Sequence, residues 1–248
     1  MKHGQIALVT GASRGIGAGI ATALAREGMA VAITSRRLDD LGETVQRIEH
    51  AGARAVPVEL EVTSAASIRA AVERVRSDLG PIDLLVNNAG VNVPRPAVDV
   101  TEDQWDQVLD TNLKGPFLCA QIVGQEMIAL GKGKIVNISS AAGLIPAGER
   151  VAYCSSKAGL IMLTRVLALE WAKHGITVNA VAPTFVETEL AAQTLNRPGM
   201  RDYWTQRIPL GRLASVDDVA AAVLYLASPA ADFVTGTVLT VDGGLTMR

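Results

Sequence analysis

Short runs rich in β-branched residues alternate with helix-length segments along almost the whole chain. Seven such runs occur: QIALVT (5–10), AVAIT (30–34), RAVPVEL (54–60), IDLLVNN (82–88), KIVNIS (134–139), ITVNAVA (176–182) and VLTVDGG (238–244). Helices are predicted between them at about 15–27, 64–79, 101–130, 152–173 and 215–227. Thr101 and Ser215, each followed by acidic residues, mark two helix starts. Because parallel strands need crossover helices, the pattern predicts an α/β fold, a doubly wound parallel sheet of about seven strands with helices on both faces.

The length and composition favour one domain. Hydrophobic residues make up 49% of the 248 residues, enough for one sizeable core, and no repeat or low-complexity linker divides the chain. We therefore expect residues 1–248 to form a single domain. The segment 184–212 breaks the alternation with aromatic residues and two prolines. A long connection of this kind is typical of a lid or binding loop, and a packed irregular excursion is the alternative.

Charge and cysteine content exclude several classes of function. The net charge is only −2 and the basic residues are scattered, which argues against a nucleic-acid partner. Cys119 and Cys154 are too few and too separate for a disulfide framework, and no metal site is indicated. The chain enters its first strand without a leader pattern, and no apolar run approaches the roughly 20 residues of a membrane span. We therefore expect a cytoplasmic protein with no membrane partner.

A glycine-rich turn follows the first predicted strand. Gly11, Gly15 and Gly17 let the backbone turn sharply and approach another group closely, and the helix that follows offers free N–H groups to a pyrophosphate. The spacing is G-x-x-x-G-x-G rather than the usual dinucleotide fingerprint, so a simple tight corner stays open.

The end of the second strand indicates which dinucleotide would bind. An acidic residue at this place binds ribose hydroxyls, whereas arginine accommodates a 2′-phosphate. Here Ser35 stands in the acidic position, followed by Arg36 and Arg37, and Arg14 projects from the glycine turn. Guanidinium groups bind phosphate in forked geometry, so the pattern favours NADP(H) over NAD(H). Solvated surface arginines are the alternative.

A tyrosine and a lysine stand one helical turn apart in RVAYCSSKAGL (150–160). Residues four apart share a helix face, so Lys157 is expected near the ring of Tyr153. A phenol has a pKa of about 10, and a neighbouring ammonium group should lower it toward a useful acid or base. Ser140 follows an apolar strand, at the sheet edge where open α/β folds bind ligands. A surface pair is the alternative reading of the tyrosine and lysine.

Taken together, these motifs resemble the classical short-chain dehydrogenase/reductase family. The matching pieces, in family order, are TGASRGIG (10–17), NNAG (87–90), Asn112 in TNLKG, ISS (138–140), Tyr153-x-x-x-Lys157, VNAVAP (178–183) and VDGG (241–244). The resemblance covers nearly the whole chain and implies a single Rossmann-type catalytic domain. It is similar to both the 3-oxoacyl-[acyl-carrier-protein] reductases and the sugar and polyol dehydrogenases.

The resemblance implies a role for each matching residue. Tyr153 would be the general acid for ketone reduction and the base for alcohol oxidation. Lys157 would bind the nicotinamide ribose, Ser140 would hold the carbonyl oxygen, and Asn112 would anchor a water in a proton relay. The expected cofactor-binding residues are Gly11, Ser13, Arg14, Gly15, Ile16, Gly17, Arg36, Glu61, Val62, Asn88, Ala89, Gly90, Tyr153, Lys157, Pro183, Val186 and Thr188.

Two positions depart from the family pattern. Glu61 stands where the family usually has an aspartate that contacts the adenine, so the charge is kept on a longer arm. Thr184 follows Pro183 where the family usually has glycine, so a side chain enters close to the expected nicotinamide. We expect catalysis to survive both changes.

The substrate is less constrained by the sequence. The expected lining, at 92–96, 144–150 and 185–203, mixes apolar and polar residues. A carrier-protein reductase would need a basic surface, and only Lys132, Lys134, Lys173 and His174 stand in the relevant regions. We therefore expect a small ketone or secondary alcohol, with sugars and polyols prominent. A 3-oxoacyl-[acyl-carrier-protein] reductase is the alternative, and a non-catalytic dinucleotide-binding regulator is a remote one.

An assembly is also expected. The segment 155–172 is apolar around most of its helical circumference, which is too much for one buried face. Together with 101–130 it would suit a subunit interface, and the family resemblance implies a homotetramer, with a homodimer as the alternative.

Overall fold

A computed structural model describes residues 4–247, without the side chain of Gln193. Residues 1–3 and 248 of the predicted domain lie outside the described residues. The strands are β1 (Ile6–Val9), β2 (Ala30–Ser35), β3 (Ala55–Glu59), β4 (Leu84–Asn87), β5 (Gly133–Ile138), β6 (Ile176–Pro183) and β7 (Val238–Val241). The helices are α1 (Gly15–Arg26), α2 (Gly42–His50), α3 (Ala65–Asp78), α4 (Glu102–Leu109), α5 (Gly115–Leu130), α6 (Val151–Trp171), α7 (Glu189–Leu195), α8 (Met200–Arg207) and α9 (Val216–Ala227).

All seven strands form one parallel sheet in the order β3-β2-β1-β4-β5-β6-β7. The predicted doubly wound sheet is confirmed. The strand order reverses between β1 and β4, since β2 and β3 extend to one side and β4 to β7 to the other. Such a switch point opens a crevice at the carboxyl ends of the strands, which is where ligands bind in this architecture.

Alternate residues of the central strands enter two apolar cores. Val9 and Val86 face the core that α1, α2 and α9 cover, whereas Leu8 and Leu85 face the core under α3, α5 and α6. All four side chains are essentially inaccessible to solvent. A sheet buried on both faces explains why these strands read as continuous apolar runs.

Two predicted helix starts are confirmed, and so is the long helix predicted over 101–130. Thr101 and Ser215 both form capping boxes that satisfy the first N–H groups of α4 and α9. The chain is helical without a break from Glu102 to Leu130, and a π-helical turn at Asp110–Lys114 connects α4 to α5. α2 was not predicted, and the segment 184–212 contains α7 and α8 rather than an irregular loop.

One helical segment among the described residues, Val151–His174, is long and apolar enough by length and composition to cross a membrane. This contradicts the expectation that no segment of the sequence reaches that length and polarity. The segment contains α6, which carries the buried Lys157 and packs against β6. It therefore forms part of the core of the fold.

Candidate active site

Ser140 is the first polar group of the site. It directly follows Ser139 beyond the end of β5 and begins a short turn at Ala141–Gly143, where its Oγ accepts a hydrogen bond of 3.1 Å from the Ala142 N–H. The turn leads back to α6, so Ser140 and Tyr153 line the same cavity and are hydrogen-bonded to each other. Sequence and structure therefore agree that these two hydroxyls meet at the carboxyl edge of the sheet.

Lys157 lies on the buried face of α6, one turn after Tyr153. Its Nζ is 5.7 Å from the centroid of the Tyr153 ring and donates a 2.8 Å hydrogen bond to the carbonyl of Ile138. Only 4% of the residue is exposed. Because burial disfavours the charged amine, the pKa of Lys157 falls to about 8.

The pKa of Tyr153 is raised, which corrects the expectation that Lys157 lowers it in the free chain. Burial is the main cause, and it outweighs the hydrogen bond from Ser140 and the positive charge of Arg150, both of which lower the pKa of the phenol. The cation that acts on Tyr153 here is therefore Arg150, which sequence reasoning placed only among the cavity-lining candidates. Its position three residues before Tyr153, at the N-cap of α6, was the signal that could have identified it.

Asn112 is placed by the π-helical turn, a feature that is frequent at functional sites. The residue is fully buried. Its Oδ1 accepts a 2.8 Å hydrogen bond from the Val91 N–H, and its Nδ2 donates to the Val91 carbonyl at 2.8 Å and to Ser156 Oγ at 3.1 Å. The amide side chain thus ties the loop after β4 to α6 and has both of its ends paired with protein groups.

Lys157, Asn112 and Gly90 converge at one place. A Cβ added at Gly90 would lie 3.3 Å from Asn112 Oδ1 and 3.6 Å from Lys157 Nζ. Gly90 therefore leaves a narrow space directly above the amine and the amide. The structure brings together all four predicted catalytic residues, since Ser140 and Tyr153 border the adjacent cavity.

The glycine turn between β1 and α1 is built for close approach. Gly11 and Gly15 have φ values of +64° and +57°, in the region that favours glycine. A Cβ at Gly17 would lie 2.4 Å from Asn88 Nδ2, which donates to the carbonyls of Thr10 and Gly11 at 2.9 Å each. Asn88 therefore braces the turn, as an amide with two donors can.

The N-terminus of α1 fits a pyrophosphate. Arg14 occupies the N-cap in an extended conformation without a side-chain cap, and the first turn has no acidic residue. By contrast, α3, α4, α7 and α9 each begin with a serine or threonine that accepts a backbone hydrogen bond. The first N–H groups of α1 are thus left without a side-chain acceptor beside a glycine turn, as an anion site requires.

The residues at the end of β2 differ in what they contact. Ser35 is buried, and its Oγ pairs with the backbone of Arg37, accepting from the Arg37 N–H at 3.0 Å. Arg36 is exposed beside it. Arg14 does not extend to this region as expected, because its guanidinium pairs with Glu189 at 2.8 Å, at the start of α7.

Other predicted cofactor residues lie around the same edge. The Glu61 Oε1 accepts from the Thr63 N–H and hydroxyl at 3.1 and 3.0 Å, so its carboxylate holds its own loop. Val62 is buried and contacts the start of α5. Ala89 lies against Gly11, and Thr188 lies against Gly15 and caps α7. The Ser13 carbonyl accepts a 3.4 Å hydrogen bond from Thr44 Oγ1, and Pro183 pairs with Val241 of β7 at the end of β6.

The segment after β6 closes the cavity over Ser140 and Tyr153. Val186, Thr188 and the predicted Ile16 line it, and Phe185 and Trp204 form a wall with ring centroids 4.6 Å apart. Thr184 also lines the cavity with its side chain, in the place where the family pattern has glycine. Most of the other lining is apolar, so a small ligand would be largely withdrawn from water here.

Comparison with known proteins decides the family. A family model described as Enoyl-(Acyl carrier protein) reductase matches residues 11–246. The chain is 39% identical over 244 residues to an NAD-dependent glycerol dehydrogenase of Listeria innocua, covering 98% of this chain and 94% of that protein. The chain belongs to the short-chain dehydrogenase/reductase family. It is accordingly an oxidoreductase that interconverts alcohols and carbonyl compounds with a nicotinamide dinucleotide.

Two further similar proteins are dehydrogenases of small polyhydroxy compounds. A D-threitol dehydrogenase of Mycolicibacterium smegmatis is 41% identical over 247 residues, covering 99% of this chain and 94% of that protein. A solved gluconate 5-dehydrogenase of Burkholderia cenocepacia, in complex with NADP and tartrate, is 37% identical, with a TM-score of 0.96 over 100% of this chain and 97% of that chain.

Proposed function

We propose that this short-chain dehydrogenase/reductase transfers hydride between a nicotinamide dinucleotide and a small ketone or secondary alcohol of the sugar or polyol type. The observation that carries the proposal is the meeting of Ser140, Tyr153 and Lys157 beside a half-open, mostly apolar cavity at the carboxyl edge of the sheet. The nicotinamide, when bound, supplies or accepts the hydride. The protein's own groups position the carbonyl and move the proton.

Tyr153 is the proposed proton donor in ketone reduction. Its raised pKa keeps the phenol protonated at neutral pH, as a donor must be. Ser140 is hydrogen-bonded to the phenol and can hold the same carbonyl oxygen. Lys157 carries a proton at pH 7 because its pKa is about 8, and its charge stabilises the phenolate that forms as the proton leaves. In alcohol oxidation the same groups act in reverse.

Asn112 is the proposed anchor of a water in the proton relay. Because both ends of its amide are paired within the protein, a relay water is best held by the main chain of the π-helical turn. The side chain then fixes the position of that turn against α6.

NADP(H) is the proposed coenzyme in preference to NAD(H). The last residue of β2 is Ser35 rather than an acidic residue, and its hydroxyl is hydrogen-bonded to the backbone of Arg37. The next residue, Arg36, is exposed and can bind a 2′-phosphate. The structure of the gluconate 5-dehydrogenase holds NADP, whereas the glycerol dehydrogenase is named NAD-dependent. Arg36 is the residue on which the preference rests in this chain.

A small free substrate is favoured over an acyl-carrier protein. The family model's description names an acyl carrier protein, so the alternative has a specific basis. However, Lys132 pairs with Asp83 at 2.9 Å and Lys134 pairs with Asp232 at 2.7 Å. Two of the four basic residues that an acidic carrier could contact are therefore neutralised, and the remaining basic surface is small. The polyol dehydrogenases among the relatives agree with a small substrate.

We also propose that the chain works as one catalytic domain in a cytoplasmic homotetramer, with no nucleic-acid or membrane partner. The outer faces of α5 and α6 support the assembly, since Phe117, Met162, Val166 and Leu169 are exposed there. Exposed apolar patches of this kind mark protein–protein interfaces.

Coupled assays of the purified protein test the proposal. Oxidation of NADPH and NADH is followed with a panel of small ketones, and reduction of NADP⁺ and NAD⁺ with the matching alcohols. We expect turnover with the higher kcat/KM for NADP(H), and a loss of about 100-fold or more in Tyr153→Phe, the scale of a general acid. Tyr225→Phe, on the surface of α9, is the matched control and should keep full activity.

Each opposite result removes part of the proposal. Undiminished turnover in Tyr153→Phe would refute the assigned proton donor, and a higher kcat/KM with NADH would overturn the coenzyme preference. Tight dinucleotide binding with no turnover of any carbonyl compound would instead favour a non-catalytic regulator.

A further inference from the structure

A guanidinium group lies in the wall of the cavity, and its only described effect on Tyr153 is through its charge. Arg150 immediately precedes α6, and its half-buried side chain lines the same cavity as Tyr153. Its Nη2 donates a 2.6 Å hydrogen bond to Thr194 Oγ1 of α7, and its Cζ is 4.9 Å from the centroid of the Phe185 ring. Stacking and hydrogen bonding thus fix the plane of the guanidinium while most of its five N–H donors are left for other partners.

The positive charge of Arg150 has no carboxylate to balance it inside the cavity. No aspartate or glutamate lines the cavity in the described part of the chain. The adjacent Glu149 directs its carboxylate to Arg197 at 3.0 Å, on the exposed side of the same segment. Burial lowers the pKa of Arg150, and the attraction of Glu149 is the weakest of the influences on it. A cation withdrawn from water in this way is costly without an anionic partner.

Three buried polar atoms in the same wall also lack a hydrogen-bond partner. They are Asn92 Oδ1, Thr184 Oγ1 and Trp204 Nε1, half of the six such side-chain atoms found in the described residues. A buried polar atom without a hydrogen-bond partner lowers the folding stability by about 1–3 kcal/mol, so such atoms are rare in folded proteins. These three come from three separate segments of the chain, and the residues that carry them all line one cavity. The three atoms are closed off from solvent in this structure, so each side chain would have to adjust before it could bind a hydroxyl group of a ligand.

We infer that Arg150 binds a substrate carboxylate and that the cavity is specific for polyhydroxy acids and their oxo acids rather than neutral polyols. The inference rests on the proposed function, which it narrows from sugars and polyols to their acids. A guanidinium held in a fixed plane matches the two oxygens of a carboxylate, and Asn92, Thr184 and Trp204 provide acceptors and donors for the hydroxyl groups. Thr184 replaces the glycine of the family pattern, so part of this recognition comes from a residue particular to this chain.

The test compares matched acids and alcohols. With NADP⁺ as oxidant, kcat/KM is measured for four- to six-carbon aldonates, including gluconate, and for the corresponding alditols, including glucitol. We expect the wild type to prefer the acids by at least about tenfold. Arg150→Gln should remove most of this preference, because KM should rise for the acids and not for the alditols, and Arg150→Lys should restore part of it.

Arg197→Gln is the matched control, since it removes a nearby guanidinium that pairs with Glu149 outside the cavity. It should leave the preference for acids unchanged. Wild-type kcat/KM values that are equal for acids and alditols would overturn the inference while leaving the proposed function intact. An equal loss for both substrate classes in Arg150→Gln would also overturn it, because Arg150 would then act through Tyr153 or through the fold.

Direct binding separates this inference from the proposed function. Calorimetric titration of the NADP⁺ complex with gluconate and tartrate measures carboxylate binding even if no alcohol is oxidised. Binding that is weakened about tenfold or more in Arg150→Gln, but not in Arg197→Gln, supports the carboxylate site whatever the turnover. Equal binding by the two variants, or tighter binding of a sugar phosphate than of the aldonates, contradicts it.

Discussion

At the scale of single residues, the buried amine of Lys157 affects both the proposed proton transfer and the free energy of unfolding. Among the described residues its ammonium has one hydrogen-bond partner, the Ile138 carbonyl, and no carboxylate forms an ion pair with it. Desolvation therefore lowers its pKa from 10.5 to about 8 in the folded chain. The unfolded chain binds this proton more tightly, so protonating Lys157 costs folding free energy at neutral pH.

The cost can be measured by comparing the wild type with Lys157→Met. Below about pH 8 both folded and unfolded wild type hold the proton, and the full penalty applies. Between about pH 8 and 10.5 only the unfolded state holds it, so wild-type stability should rise with pH relative to the variant, by on the order of 2–3 kcal/mol in total. Urea unfolding of both proteins at pH 7, 8, 9 and 10 measures the difference.

Lys157→Met should also be more stable than the wild type at pH 7, although it loses catalysis. A difference in unfolding free energy that stays constant from pH 7 to pH 10 would show that Lys157 keeps its ordinary pKa and that its burial carries no electrostatic cost. Other titrating groups are common to both proteins and cancel in the comparison.

The sequence predicted the contacts that follow from helix geometry and from the parallel sheet, and missed those that depend on how separate helices and loops pack. Tyr153 and Lys157 share a face of α6 because helix geometry requires it, and Ser140 reaches them because parallel strands end at one edge. The pairing of Arg14 with Glu189 instead depends on how α7 lies over the glycine turn. The raised pKa of Tyr153 likewise depends on burial by the segment after β6, which no local pattern encodes.

At the scale of elements, the same distinction explains which helices were found. α3, α4 and α9 have capping serines or threonines and clear apolar periodicity, so their starts were readable. α7 and α8 are short, and Leu195 of α7 and Trp204 of α8 pack in one apolar cluster with Phe185, so tertiary packing rather than local propensity holds them. The π-helical turn was invisible because one extra residue leaves the apolar pattern of 101–130 almost unchanged.

The glycine turn between β1 and α1 supports a prediction about how little space a side chain would have there. Gly11 and Gly52 both have positive φ, at +64° and +79°, but a Cβ at Gly11 would lie 2.8 Å from Ala89 Cα whereas a Cβ at Gly52 would meet nothing within 4 Å. Gly52→Ala should therefore lose only the conformational cost, about 1 kcal/mol. Gly11→Ala should lose clearly more, on the order of 2–4 kcal/mol, because backbone must also move.

Thermal unfolding and dinucleotide binding by fluorescence check the pair. Gly52→Ala should bind NADPH as the wild type does, and Gly11→Ala should bind it at least about tenfold more weakly because the turn no longer approaches the pyrophosphate closely. Equal stability and equal binding in the two variants would mean that the turn has room for a side chain, and the close-approach interpretation would be wrong.

At the scale of the whole molecule, α6 joins the site to the surface. Its inner face holds Tyr153 and Lys157, and its outer face carries Met162, Val166 and Leu169 at the spacing of a single stripe. Leu169 is 82% exposed and Met162 is 55% exposed in the single chain. A second copy of the chain that packed on this stripe would bury it and would support α6 on the side opposite the active site. Two such dimers related by a further two-fold axis would form a tetramer.

Leu169→Arg should disrupt that pairing, because a charge in the centre of a self-complementary interface meets its own copy. Sedimentation velocity at micromolar concentration should show the wild type at about four times the 26.0 kDa chain mass and Leu169→Arg at a smaller mass. Leu38→Arg, an equally drastic change at an exposed leucine beyond β2, is the control and should keep the wild-type mass. A wild type that sediments only as the single chain would contradict the proposed tetramer. The stability of α6 would then come from the two apolar cores of the single chain alone.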